Sequence, residues 1–525
     1  MSFWSSLSKS WLRMKIFYLF LLLFVYILLL DGCGVATQKR VLVTPQNAKS
    51  LDHNSAFLKA HMLDGRVYIL SQWSVNSNLK IVSGDGKLLD ANREVLANGS
   101  FSIPFDSVAI FETNLVTTSP EVMAMALVTG ASVILTVYCI TNPKACFGSC
   151  PTFYVDDGPN QTLQAEGFSS SVAPSLEAKD IDALYRAKPT GKEFNVTMKN
   201  EALETHVVRY VDMLVVPRLH GGRVFVTPKG EFWQTTRIIP PHHCNGPEGD
   251  CLSQIIAFDG IERKSLADST FLGTKETVEL EFDSVPDGKV GLVMAFRQSL
   301  LSTYLFYQTL AYMGSSVGDW YAKLQSGNES IRKRMGGIGQ VLGGIEILKQ
   351  DGSNNWIPVT QVSETGPLAT DVRVVPLPNL GSGSQKIQLR FTKGHWRIDY
   401  VALALLDKKV TPQRLSPYMV RHDAILDSTA KNILIDTSQV LVTLPGDVYT
   451  LTYLLPDDYI NYELFLESRG YYMEWIRDEW LAEENPALAR MMFLNPQKAL
   501  KKFAPEFKKV EAEIEQQFWG SRYAR

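Results

Sequence analysis

Over most of the chain, apolar and polar positions alternate in short runs broken by Gly, Asn and Asp, the period-two pattern of half-buried strands. From 59 to 128 the runs RVYILSQW, LKIVS, KLLDAN and FSIPFDSVAIFET are separated by Asp64-Gly65 and Gly84-Asp85-Gly86 and predict a small β domain, barrel or sandwich. Residues 129–190 read as a cysteine-containing β-meander, with LEAKDIDALYRA as a helix. Residues 191–345 return to strands, with Asp287-Gly288 between alternating runs as a hairpin turn. A helical insertion follows at 298–325 and breaks at Gly314. The block 346–460 predicts a β-sandwich. From 461 to 525 the text becomes helical and charged, with breaks at Asn495-Pro496 and Ala504-Pro505. The fold class expected is mainly β (α+β): several antiparallel sandwich or barrel-like modules followed by a helical C-terminal segment.

Only one uninterrupted apolar stretch stands at a chain end. Residues 16–30, IFYLFLLLFVYILLL, follow Lys9, Arg13 and Lys15 with no acid before them, the layout of an export signal over 1–32. As a helix the stretch reaches about 22 Å, short of the ~30 Å hydrocarbon core, which favours a signal peptide over a spanning anchor. Leu30-Asp31-Gly32-Cys33 resembles the bacterial lipoprotein lipobox, with Leu30 and Gly32 fitting the pattern and Asp31 standing where a small or apolar residue is usual. The resemblance implies that Cys33 is the lipidated first residue of the mature chain, that acyl chains hold the body on a membrane, and that 33–58 is a tether. Gly34 follows Cys33 with no aspartate retention signal, which by the same resemblance implies an outer-membrane lipoprotein of the cell envelope. The alternative is an inner-membrane signal anchor with a periplasmic body. The uncharged stretch 122–140 is divided by Thr129-Gly130 and turns β-branched, so it reads as buried elements.

Export changes the meaning of the remaining cysteines, because nearby pairs oxidise outside the cytosol. Cys146 with Cys150, and Cys244 with Cys251, are the disulfide candidates, and Cys139 is left over. The competing reading is soft metal ligation, in which His242 and His243 join Cys244 and Cys251. CFGSCPTFYV resembles a segment of uncharacterised secreted bacterial proteins in which a cysteine-bounded loop leads into a meander; no activity comes with it. The 346–460 block resembles a galactose-binding-like jelly roll in strand rhythm.

Candidate chemistry is sparse. Gly314-Ser315-Ser316-Val317-Gly318 matches GxSxG, which would make Ser316 a nucleophile if a strand ended and a helix began there, with His395 or His422 and Asp371 or Asp399 as partners. The acid pairs Asp457-Asp458 and Glu483-Glu484 would suit a glycosidase only if they faced one cleft. The glycines of 336–344 lack dinucleotide spacing and a Walker lysine, and read as a loop between sheets. Trp233, Trp356 and Trp396 lie beside turn residues, where aromatics can stack on sugar rings or grip a protein. Tyr471, Tyr472, Trp475 and Trp480 read as a helical stripe.

A charged fraction of 20% with a net charge of −3 excludes a disordered chain and gives no basic field for nucleic acid. The sequence therefore predicts a lipid-anchored envelope component without cofactors, attached to the membrane through its lipid and binding an envelope protein or a glycan. An envelope hydrolase, acting through Ser316 or a carboxylate pair, is the alternative, and a metal-binding module a minor one.

Overall fold

The computed structural model describes residues 37–43, 45–62, 66–89, 95–117, 150–156, 161–202, 204–218, 222–318, 320, 337–363, 366–378, 380–457, 461–474, 481 and 483–515. Cys33, Cys139, Cys146, Trp475 and Trp480 lie outside these residues, as does the export signal. Among the described residues no helix is long and apolar enough to cross a membrane.

Strands dominate, and every pairing among them is antiparallel. Sheet I is an N-terminal six-stranded unit formed from 37–117. Its core holds Leu58, Leu70, Val82 and Phe111, and Trp73 Nε1 donates to the Ser55 carbonyl at 3.0 Å. The expected tether enters this sheet, because Thr37–Val43 pairs with Val108–Thr117 and Phe57–Met62 also joins it.

The remaining four sheets stack as layers. Sheet II runs in the order Gln161–Glu166, Thr152–Asp156, Glu193–Lys199, Val448–Leu454, Met419–His422, Ile425–Leu426. Sheet III runs Ala178–Ala183, Tyr462–Glu474, Glu204–Pro217, Gln413–Leu415, with Leu441–Thr443 on the third strand. Sheet IV runs Arg223–Val226, Phe232–Ile239, Trp396–Val410, Val290–Gln298, Asp371–Leu377. Sheet V runs Gly249–Asp250, His243–Gly246, Lys275–Val285, Gly383–Thr392, Ile345–Gln350, Trp356–Val362.

Side-chain alternation assigns each face. Met213 and Val215 enter the core between II and III with Val196, Leu451 and Leu466, while Leu214 and Val216 point the other way, against Val293, Val374 and Ala404 of sheet IV. Leu292 and Met294 then face Leu280, Ile387 and Leu389 of sheet V. The body is thus two sandwiches joined through a third apolar layer, with sheets III and IV buried on both faces. The IV/V sandwich is an insertion between Glu204–Pro217 and Gln413–Leu415, whose ends pair as Met213 with Leu415 and Val215 with Gln413.

Strand pairing therefore crosses the boundaries drawn from sequence at 190, 345 and 460. The jelly-roll block contributes to both sandwiches. Asp287-Gly288 is no hairpin: Lys275–Val285 lies in sheet V and Val290–Gln298 in sheet IV, so the turn carries the chain across the sandwich. LEAKDIDALYRA forms the strand Ala178–Ala183, because Ile181 and Ala183 bury against sheet IV while Asp180 and Asp182 alternate with them. Tyr462–Glu474 is a central strand in place of the expected helix, and Tyr471 and Tyr472 both bury, on opposite faces.

Among the described residues, the helices at 301–313, 486–494 and 496–510 share one core, while Ser428–Ile435 packs on sheets II and III. We label them α1 (Leu301–Met313), α2 (Ser428–Ile435), α3 (Pro486–Leu494) and α4 (Pro496–Val510). α1 ends at Gly314, whose φ of +48° suits a residue without Cβ. Residues 337–342 form a short helix, not the expected loop, and its last carbonyl, on Leu342, accepts from Lys275 Nζ at 2.5 Å. α3 starts at Asn485, whose side chain accepts from Leu488 N, with Pro486 in the first turn. α4 continues through Pro505, which is exposed and whose ring nitrogen has no N–H to give the helix ladder. Leu301, Leu305, Met492, Leu500 and Phe503 close the core of this unit.

Phe465 tests the joint between the sandwiches. It is fully buried and packs edge-on to Phe232 of the insertion at 5.0 Å. Phe465→Ala is expected to cost about 3–5 kcal/mol and to lower the urea midpoint of the 150–515 body. An unchanged midpoint would mean that the interface contributes little.

Candidate functional site

Within the four-layer stack, sheets II and V each have a face free of another sheet. On sheet II the outward Thr197 and Thr452 are buried, at 6% and 1% exposure, while Asn195 opposite Thr452 is exposed. The outward face of sheet V is exposed at Lys386 and half-exposed at Arg390 and Glu281, while Gln388 and Leu348 on the same side are buried at 8% and 3%. Strand alternation places Val278, Leu280, Phe282, Ile387 and Leu389 inward, so Thr277, Glu279, Glu281, Lys386, Gln388 and Arg390 point outward.

The register sets these polar groups in rows across the strands. Gln361, Glu346, Arg390 and Thr277 form one row. Gln388 stands across from Glu279 and donates to it at 3.1 Å. Lys386 stands across from Glu281 at 2.6 Å, and Glu281 across from His243. Arg390 Nε donates to Glu346 at 2.9 Å. The hydrogen bond from Lys386 holds the Glu281 carboxyl below its ordinary range. Trp356 sits on the edge strand opposite Gln350, half-buried and outside the sandwich core, beside exposed Ile357 and Pro358. From His243 to Trp356 the face crosses five strands, about 19 Å at ordinary strand spacing.

This face brings together two of the sequence candidates, Trp356 and His243; His242 lies beside it, with Nδ1 3.3 Å from Asp283. The other two tryptophans are placed differently. Trp396 is 1% exposed and packs against Phe296 in the IV/V core. Trp233 is 9% exposed in the joint between the sandwiches, with Lys289 and Lys409 above its ring. The charged residues of the face carried no motif in the sequence; only alternation within each strand, combined with the strand order, assembles them.

The cysteine pair Cys244 and Cys251 is a disulfide, buried beneath this face at 5.3 Å between Cα atoms. The sulfurs are consumed by that bond, so the metal set of His242, His243, Cys244 and Cys251 is not formed. Among the described residues no cluster suits a metal ion. Cys150 is a free, buried thiol rather than half of a disulfide; its expected partner, Cys146, lies outside the described residues. Burial beside Glu166 pushes the Cys150 thiol well up, opposite to what a reactive thiolate needs.

The proposed hydrolase residues are scattered. Ser316 follows a helix, not a strand, and its hydroxyl donates to the Met313 carbonyl at 2.7 Å. His395 is buried against Trp396, and desolvation lowers it to about 3. His422 stacks on Tyr449 in sheet II at 4.3 Å. Asp371 pairs with Arg373, and Asp399 accepts from Gly260 N at 3.0 Å and from Arg186 at 3.3 Å. Asp457 is exposed and paired with Lys192, Glu484 accepts from Ser315 N at 2.8 Å, and Asp458 lies outside the described residues.

A second opening, of about 490 Å³, lies at the joint between the sandwiches. Its charges are spent on one another: Lys409 on Glu231 at 2.6 Å, Arg414 on Glu467 at 2.6 Å and on Asp212 at 2.7 Å. Those pairs fasten the seam between the sandwiches.

No family model and no curated protein matches this chain. Solved structures similar to parts of it include BpGH86A, a beta-porphyranase of glycoside hydrolase family 86 from the human gut bacterium Bacteroides plebeius, at 10% identity and TM-score 0.16. That match covers 49% of this chain and 44% of the porphyranase, so the chain spans less than half of its length. Another is a structure of carbohydrate-binding modules from the beta-sandwich super family, at 9% identity and TM-score 0.13 over 72% of this chain and 93% of that one. A third is an exo-beta-1,3-galactanase from Phanerochaete chrysosporium, at 8% identity and TM-score 0.14 over 64% of this chain and 81% of that one. Overlaps this loose establish neither fold nor site.

Glu166 supplies a pH test of the buried chemistry. Its carboxylate accepts from Leu368 N at 2.8 Å and Ala369 N at 3.3 Å, tying sheet II to a loop of the insertion, and burial raises it from 4.5 to about 7. The folded state therefore binds more protons than the unfolded chain between those values. The stability this group contributes is present below 4.5 and is lost as pH rises towards 7. Glu166→Gln keeps an acceptor oxygen and removes the titration. The wild-type minus variant stability, from urea midpoints, is expected to fall as pH rises from about 4.5 to 7; a flat difference would rule out the raised carboxyl.

Proposed function

We propose that the protein is a lipid-anchored component of the cell envelope that binds glycan on the outward face of sheet V. One observation carries the binding part: a half-exposed tryptophan stands at the end of rows of charged and amide side chains on a sheet whose other face is a packed core. Sugars present two chemistries, an apolar C–H face and a ring of hydroxyls. Trp356 offers a flat aromatic surface for the first. Glu279, Arg390, Glu346, Lys386 and Glu281 offer donors and acceptors for the second, already oriented by their mutual bonds and by the buried Gln388. The ~19 Å run of the face suits an oligosaccharide over a single ring. A rigid sheet holds these groups at little further ordering cost.

The reading is one of binding because Ser316, the histidines and the paired acids gather around no common cleft among the described residues. The envelope part rests on the sequence of 1–33, in particular on Cys33 after the apolar run. The disulfide between Cys244 and Cys251 supports an oxidising compartment.

Two measurements check this reading. On an immobilised glycan array, wild-type protein is expected to bind at least one neutral or acidic oligosaccharide. Trp356→Ala should weaken that binding about tenfold or more with the melting temperature unchanged, as expected for loss of a stacking platform. Equal binding by the variant would remove Trp356 from the site. Mass spectrometry of the mature N-terminus from membranes is expected to find an acylated Cys33; an unmodified chain beginning at Met1 would refute the anchor.

A further inference from the structure

The face of the helical unit that points away from its core carries a one-signed charge pattern that glycan binding does not use. α3 and α4 meet at Asn495 and enclose a shallow groove of about 550 Å³. Its floor is apolar: Ala487, Leu488, Met491 and Leu494, the last 46% exposed. Its rim is cationic, with Arg490 on α3 and Lys498 and Lys502 on α4, all exposed. Lys501 adds a fourth cation, and no Asp or Glu occurs from 486 to 502. On α4 the spacing Lys498, Lys501, Lys502 puts these charges on one helical face, while Ala499, Leu500 and Phe503 on the other anchor the helix in the core.

We infer that this groove docks on the surface of a bilayer containing anionic phospholipid. The arrangement matches both demands of such a surface. Ammonium and guanidinium groups on the rim meet the phosphates, and each cation near an anionic surface adds to the attraction. Leu494 and Met491 between them can enter the boundary between headgroup and acyl chain, where apolar side chains leave water. Long lysine stems reach past this floor and keep their charges at headgroup level. A protein partner with an acidic face would satisfy the rim but would need shape complementarity over a much larger area, and the groove is short. The chain as a whole carries a net charge of −3, so attraction to an anionic bilayer must come from a local patch such as this one. The inference is independent of the sheet V site.

The test must separate this patch from the apolar residues 16–30, so it reads the helices themselves. Hydrogen–deuterium exchange of the full chain is followed on vesicles of phosphatidylcholine alone and of phosphatidylcholine with one-third phosphatidylglycerol. Amides of 486–502 are expected to be protected on the anionic vesicles only, with the protection lost in 0.5 M NaCl. The double variant Lys498→Glu with Lys502→Glu should reduce binding to the anionic vesicles about tenfold or more and abolish the added protection, with its melting temperature unchanged. Leu494→Ser should weaken it without altering its salt dependence. Equal exchange over 486–502 on the two vesicles, or the same protection in the charge-reversed variant, would overturn the proposal. Protection by an added acidic protein in place of vesicles would assign the groove to a protein instead.

Discussion

Burial of sheets III and IV on both faces is the constraint on which the rest depends. A strand with solvent on one side can alternate apolar and polar residues freely; a central strand in these sheets is apolar on both faces wherever it meets both cores. Val290–Gln298 shows the consequence: Leu292 and Met294 fill one core while Val293 and Ala295 fill the next, and the run is apolar from Val290 to Phe296. Ionisable groups admitted to this interior come with partners. Buried Glu463 lies 2.5 Å from the half-exposed Arg223, whose guanidinium rests on the Tyr185 ring. Arg373 pairs with Asp371 and lies 3.6 Å from Asp180 of the neighbouring sheet. Removing one member of such a pair would leave a charge in a medium that cannot solvate it.

The same constraint decides where recognition can occur. With two sheets sealed, polar side chains can be presented only at the outer layers, the edges and the helical end. On sheet II Thr197 and Thr452 are covered, and the seam between the sandwiches is bridged by ion pairs that tie its strands together. Sheet V is left with charges that are paired to one another yet half-exposed, as with Arg390 at 43% and Glu346 at 31%. Groups in that state are oriented but not consumed, and their exposed edges can exchange water for hydroxyls.

Much of the strand content was legible because alternation is a local property. What pairs with what was not. The turn at Asp287-Gly288 has the residues of a hairpin, yet the chain crosses between sheets there; hairpin and crossing need the same tight turn and differ only in what the flanking strands meet. Tyr462–Glu474 reads as a helix because ELFLESRGYYME holds good helix formers and no turn signal. Thirteen residues in register with Glu204–Pro217 override that propensity. The nesting of one sandwich within another leaves no trace in composition, since both are built of the same strands. At the site, Trp356 and His243 could be picked out as residue types. Glu279, Gln388 and Arg390 could not, because their significance comes from lying side by side on two neighbouring strands.

The nested connection also fixes how the candidate face relates to the rest of the body. An inserted domain joined by two loose linkers would swing. Here both crossings are strands, and Met213 and Val215 pair with Leu415 and Gln413 where the chain leaves and returns. Arg414, within the returning strand, spans Asp212 and Glu467, so the exit point is held by charge as well as by the ladder. Four layers at about 10 Å each then put the face of sheet V roughly 30 Å from sheet II. A ligand on sheet V is therefore held out from the body by a stiff stack. Motion of that face relative to sheet III would have to break the apolar layer around Phe465 and this ion-paired strand together.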